Sequence, residues 1–174
     1  MTRTDNGTRA RRGFTLVEVM VVVSILGILS SLAVPAYKGM VFKARKAERD
    51  QVMQTLGTGL VAQLNNEGAL KVNARGVLTR SVSLAANPPL PVGTVRKPFN
   101  PQLGNWPQLQ VQLKGSTYYS WTISGTTTGA GARVVITARG DVDGNRRYNV
   151  KAVTYAPAAG SWSKVSEVES GDRF

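Results

Sequence analysis

The chain has 174 residues, room for one compact domain or for a small domain plus an element outside its core. It contains no cysteine and no histidine, which excludes disulfide frameworks, thiolate zinc sites, Cys/His nucleophile pairs and the Ser-His-Asp arrangement. Its formal net charge of +12 draws it to anionic surfaces such as phospholipid or nucleic acid.

Residues 1–13 are polar and basic, with Arg3, Arg9, Arg11 and Arg12 against Asp5. Phe14 to Val34 is apolar except for Thr15, Glu18 and a few small residues. At about 1.5 Å per residue this run matches the roughly 30 Å hydrocarbon core of a bilayer, and it exceeds the apolar region of a secretory signal. Arginines before the run, with Lys38 the first basic residue after it, place the N-terminus in the cytoplasm and everything beyond Tyr37 outside. The alternative is a conventional signal peptide cut near Ala33 or Ala36, releasing a soluble domain. Glu18 argues against it. A carboxylate inside a span costs about 2.5–3.5 kcal/mol, so it needs a partner. The span itself offers no cation, and the nearest candidate is an amino terminus created by cleavage between Gly13 and Phe14, on this chain or a neighbouring one.

Arg11-Arg12-Gly13, then Phe14-Thr15-Leu16-Val17-Glu18 and an apolar run, resembles the cleavage and methylation motif of type IV prepilins and type II secretion pseudopilins. The resemblance implies that a prepilin peptidase cuts between Gly13 and Phe14 and that the Phe14 amine is methylated. It also implies that Glu18 pairs with the amine of an adjacent subunit during assembly. The expected partners are other pilin or pseudopilin subunits, the prepilin peptidase, an inner-membrane assembly platform with its motor, and the lipid bilayer before assembly. The same motif serves major pilins, minor pilins and secretion pseudopilins. The missing cysteines depart from the disulfide-bounded C-terminal loop that many pilins carry.

Gly27 and Pro35 interrupt the run, and Pro35 forfeits a helix hydrogen bond, so a kink or local melting is expected there, with simple termination as the alternative. In the family these two positions bracket a stretch that can unwind within the filament. After Tyr37, Met53, Leu56, Leu60 and Leu64 recur at steps of three and four behind a polar block, Lys43 to Asp50, which predicts an amphipathic helix. Asn65-Asn66-Glu67-Gly68 supplies its stop. A helix from Phe14 to Asn66 would be roughly 80 Å long, too long for the remaining chain to cover.

From Gly76 the pattern turns to strand. Val77 to Leu84 is β-prone, a loop follows through Pro98, Pro101 and Pro107, and Gln108 to Lys114 alternates as a half-buried strand. Tyr118–Ser124, Arg133–Arg139 and Tyr148–Tyr155 follow in kind, separated by glycine-rich turns. The expected fold is therefore α+β, a long N-terminal helix packed on a C-terminal antiparallel sheet of about four strands, the pilin fold. The segments are a leader (1–13), an assembly helix (14–36), its amphipathic continuation (37–66), a Pro-rich connecting loop (67–107), and a sheet with a C-terminal tail (108–174).

Two further sites suggest themselves. Asp141, Asp143 and Asn145 alternate as hard oxygen donors and could begin a calcium loop, but Arg146 and Ala152 stand where such a loop needs glycine and an acid. A hairpin turn is the favoured reading, and no metal or cofactor is expected. Arg133, Arg139, Arg146, Arg147 and Lys151, near Tyr118, Tyr119, Trp121 and Tyr148, could grip DNA, against the plainer reading of a solvated sheet face. The expected function is that of a structural subunit, not an enzyme, of a pilus or pseudopilus. The alternative is a DNA-binding minor pilin of an uptake pilus.

Overall fold

The computed structural model describes residues 13–68, 70–71, 78–79, 81–111, 113 and 115–171. One α-helix, α1, runs from Leu16 to Glu67. The chain divides into two compact units, one ending at Met40 and the other formed by Val41–Phe174.

In the first unit every large apolar side chain from Phe14 to Met40 is at least half exposed. A helix apolar on all sides belongs in lipid or among other helices. Among the described residues α1 is the one helix long and apolar enough to cross a membrane, with a mean hydropathy of 2.4 in its most apolar window. The hydroxyls of Ser24 and Ser31 donate to the carbonyls of Met20 and Ile28, so neither needs a partner outside the helix. The helix is unbroken through Gly27 and Pro35 and does not terminate there, although Pro35 has no N–H to give the Ser31 carbonyl.

In the second unit the stripe Met53, Leu56, Leu60 and Leu64 is buried at the expected spacing, and Arg49 and Gly57 extend it. Gly68 adopts φ +69° and its N–H bonds the Leu64 carbonyl at 2.9 Å, ending the helix with a left-handed cap. The strands among the described residues are β1 (Leu70–Lys71), β2 (Leu78–Thr79), β3 (Ser81–Asn87), β4 (Lys97–Pro98), β5 (Ser116–Thr117), β6 (Ser120–Thr126), β7 (Arg133–Gly140), β8 (Asn149–Ala158) and β9 (Ser161–Ser170). The main sheet is antiparallel in the order β3-β6-β7-β8-β9, so its last four strands form a meander; β1 pairs β2 and β4 pairs β5. Val82, Leu84, Trp121, Ile123, Val134, Ile136, Val153 and Tyr155 join the helix stripe in a single core. Full burial of each leucine of that stripe contributes about 1.5–3 kcal/mol.

The sheet has five strands where about four were expected. β9 was read as a tail because, as an edge strand exposed along most of its length, it carries no apolar alternation. β3 overlaps the β-prone run Val77 to Leu84 and joins the sheet from within the connecting stretch 67–107. The strand expected over Gln108–Lys114 does not form in the described part. Trp106–Leu109 is a 3₁₀ helix, and Gln110 turns left-handed at φ 52°, while Gln112 and Lys114 lie outside the described residues. Pro107 fixes φ at the start of that turn, and buried Trp106 and Leu109 anchor it, the Trp106 indole donating to the Ala85 carbonyl at 3.0 Å. The alternation of leucine and valine there serves packing against α1 instead of a ladder.

Two glycines let α1 come this close. A Cβ on Gly59 would lie 2.6 Å from the Leu109 carbonyl oxygen, and one on Gly57 would lie 2.0 Å from the Tyr155 hydroxyl. Gly59→Ala should gain about 1 kcal/mol of helix propensity and lose more to overpacking against backbone, for a net loss of about 1–2 kcal/mol by thermal unfolding. Gly57→Ala should also destabilise, with Tyr155→Phe recovering part of the loss in a double-mutant cycle; simple additivity would refute the contact.

Candidate functional site

The N-terminal motif begins in exposed, non-helical backbone at Gly13, Phe14 and Thr15; residues 1–12, including the leader arginines, lie outside the described residues. Among the described residues no atom outside Gly13 and its chain neighbours stands within 4 Å of where a Cβ on Gly13 would sit. Thr15 and Glu18 close on each other. The Thr15 N–H and hydroxyl donate to Glu18 Oε2 at 2.9 and 2.8 Å, and the Glu18 N–H donates to the Thr15 hydroxyl at 3.3 Å. The Thr15 carbonyl accepts from Val19 N–H, the first bond of the helix. This is a capping box, in which two N–H groups that the helix start leaves orphaned are satisfied reciprocally. Its Thr-x-x-Glu spacing is legible in the sequence, where Glu18 stands out first as an unpaired charge.

The five cations proposed for nucleic acid do not converge. Arg133 and Arg139 are exposed at opposite ends of β7, about 20 Å apart at strand spacing. Arg146 and Arg147 are exposed in the loop before β8. Lys151 is buried, its ammonium held by Asp50 at 2.9 Å and Glu167 at 2.6 Å. In the same loop Asp141 accepts from the N–H groups of Gly144 and Arg146, Asp143 from that of Asn145, and Asn145 from that of Arg147. These oxygens shape a turn, and among the described residues no group of three acidic, His or Cys side chains could hold a metal ion.

Residues 8–34 match the family model of the prokaryotic N-terminal methylation motif. The chain is 37% identical over 57 residues to a fimbrial protein of Moraxella nonliquefaciens, a region covering 33% of this chain and 37% of that one. It is 38% identical over 61 residues to the type IV major fimbrial protein FimA of Dichelobacter nodosus, covering 35% and 37%. The N-terminal third of the chain is similar to type IV fimbrial proteins. It spans 37% of the length of either relative, so the likeness does not extend over the whole of them. No solved structure matches it.

Beyond the matched segment the amphipathic part of α1 is tied to the sheet by charge as well as by packing. Arg49, only 1% exposed, replaces an apolar residue of the buried stripe. Its Nη1 and Nη2 reach the two carboxylate oxygens of Glu169 at 3.0 and 3.2 Å, its Nε reaches Asp50 at 2.9 Å, and Nη1 also donates to Asn149. Lys46 meets Glu169 at 3.1 Å, and Glu167 takes both Lys151 and Lys164. Burial alone would lower the pKa of Arg49, but the hydrogen bonds it donates to Glu169 and Asp50 outweigh it and raise it. The Arg49 guanidinium stands 5.7 Å from the centre of the Tyr119 ring, and burial pushes that phenol up to about 12.

Hydrogen bonds from Lys151 and then Lys164 hold the Glu167 carboxyl down to about 2, and one from Arg49 does the same for Glu169. Both lie below the ordinary value of 4.5, so the stability they contribute is fully present above about pH 5 and is lost as pH falls towards about 2. Thermal melts in steps from pH 7 to pH 2.5 should show a midpoint falling mainly below pH 4.5. Glu169→Gln should lower the midpoint at pH 7 and flatten that decline; an unchanged pH profile would refute the assignment.

Proposed function

We propose that this chain is a structural subunit, not an enzyme, of a type IV pilus or a related type II secretion pseudopilus. It is made as a precursor with its N-terminus in the cytoplasm, trimmed between Gly13 and Phe14 by a prepilin peptidase, and methylated on the Phe14 amine. The observation that carries the reading is a methylation-motif helix whose large apolar side chains are all at least half exposed from Phe14 to Met40, with one carboxylate at its start. Such a helix is anchored in the inner membrane first and covered by neighbouring subunits afterwards, after extraction by an assembly platform and motor. Gly27 and Pro35 are where the helix would yield during that transfer.

The capping box sharpens the role of Glu18. Oε2 is engaged by Thr15, which relieves part of the cost of a carboxylate in an apolar segment but supplies no cation. Trimming supplies one, the Phe14 amine, one residue from Thr15 in sequence. In lipid there is little apolar gain from helix association, so this ion pair and close packing must favour the assembled state.

Mass spectrometry of the mature protein should find Phe14 at the N-terminus with one added methyl group; a chain beginning near Ala36 would sink the reading. Glu18→Gln keeps an acceptor for the Thr15 N–H and removes the charge. It should insert at least as well as the parent yet enter filaments about tenfold less. Normal filament yield from Glu18→Gln, with trimming intact, would leave capping as the whole role of Glu18.

A further inference from the structure

One end of the globular unit is cationic in a way the filament role does not use. α1 enters this unit at Val41, and the first turns beyond it meet two loops. Arg45 donates through Nη1 to the Val142 carbonyl, and its guanidinium lies 4.3 Å from the centre of the Tyr118 ring. Arg96 lies 4.8 Å from the same ring and donates to the Ser116 carbonyl at 3.1 Å. A shallow cavity of about 400 Å³ joins the loop holding Val92 and Lys97 to the one holding Asp141, Arg146 and Tyr148.

The cations gathered here outnumber the carboxylates beside them. Arg96 has Glu48 as an ion-pair partner. Among the described residues Lys43, Arg45, Lys97, Arg146 and Arg147 have no carboxylate within ion-pair distance. Asp141 and Asp143 share the loop and keep their charge while their oxygens accept from its backbone N–H groups, so with Glu48 three carboxylates face six cations, and Arg146 and Arg147 are exposed at the loop tip.

We propose that this cationic end docks on anionic phospholipid headgroups while the apolar segment of α1 is in the bilayer. The inference rests on the membrane-spanning reading above. Arg45 follows Tyr37 by eight residues, roughly 12 Å of helical rise, and Lys38 and Lys43 lie between. That distance is comparable to the Debye length of about 8–10 Å over which an anionic leaflet attracts basic side chains. The tether keeps the surface at high effective concentration, so weak attraction suffices to hold the globular unit against the membrane until extraction. Nucleic acid is the lesser fit, because the ring of Tyr118 is occupied by two guanidiniums and, among the described residues, Tyr148 is the single exposed aromatic beside the cations to stack a base.

The chain has no cysteine, so Val95→Cys, at a site 74% exposed beside Arg96, gives a unique position for a spin label. The full chain is placed in nanodiscs of phosphatidylcholine, with or without about 30 mol % phosphatidylglycerol, each doped with a headgroup-chelated relaxation agent. Relaxation of the label should be enhanced roughly threefold more in the anionic discs, and the excess should vanish at about 1 M salt. It should also vanish in Arg146→Gln/Arg147→Gln, whose side chains make no internal bond that folding needs. Equal relaxation in the two lipids, or an excess that survives the double substitution, overturns the proposal. So does a salt-sensitive shift of duplex DNA that these arginines govern without any lipid response, which would assign the patch to nucleic acid. Failure of the chain to enter either disc removes the spanning reading itself and this inference with it, an outcome distinct from equal relaxation in discs that do contain the protein.

Discussion

A helix of 52 residues outruns what a small sheet can cover, and the rest of this protein follows from that mismatch. From Met53 to Leu64 the apolar stripe is sealed by strands of the same chain. From Phe14 to Met40 the large apolar side chains point to all sides and no described residue seals them. Hydrophobic burial is the main driving force of folding, so such a segment is suited to lipid or to packing among other helices. The valine-rich composition of the segment suits both, since neither environment demands a polar face.

The covered half must hold its register on the sheet if the uncovered half is to transmit any pull. Gly57 and Gly59 let the helix axis approach where a methyl group would collide, and Arg49 fixes its rotation through a bidentate pair with Glu169. A buried ion pair adds little net stability once desolvation is counted, but breaking one side of it is costly, so it penalises other registers strongly. Its partner lies on β9, an edge strand with few buried side chains, so the same carboxylates that orient the helix also secure the last strand of the sheet.

Thr15 and Glu18 show how one carboxylate can belong to two arguments. As the far member of a capping box it stabilises the helix start in a single chain, and as a charge in an apolar segment it awaits a cation. Oε2 takes both bonds from Thr15, so capping is compatible with the proposed pairing of Oε1 with a Phe14 amine.

Much of this was determined by the sequence alone, wherever the physics is local in the chain. The apolar run, its single carboxylate, the stripe from Met53 to Leu64, the glycine stop at Gly68 and the strands β6, β7 and β8 announce themselves through composition and period. Tertiary structure decided what periodicity cannot encode. Arg49 reads as one more cation in the polar block from Lys43 to Asp50, and only the arrival of Glu169, 120 residues later, makes it a core residue. Gln108 to Val111 alternates like a strand, yet Pro107 and the buried anchors Trp106 and Leu109 wind it into a turn beneath α1. β9 has no pattern of its own and exists because β8 offers it a ladder. The five suspected DNA contacts share a stretch of sequence, but strand alternation sends Lys151 inwards to Asp50 and Glu167 while the others stay in solvent. In each case the deciding energy lies in a contact between residues far apart in the chain, and a pattern read along the chain carries no term for it.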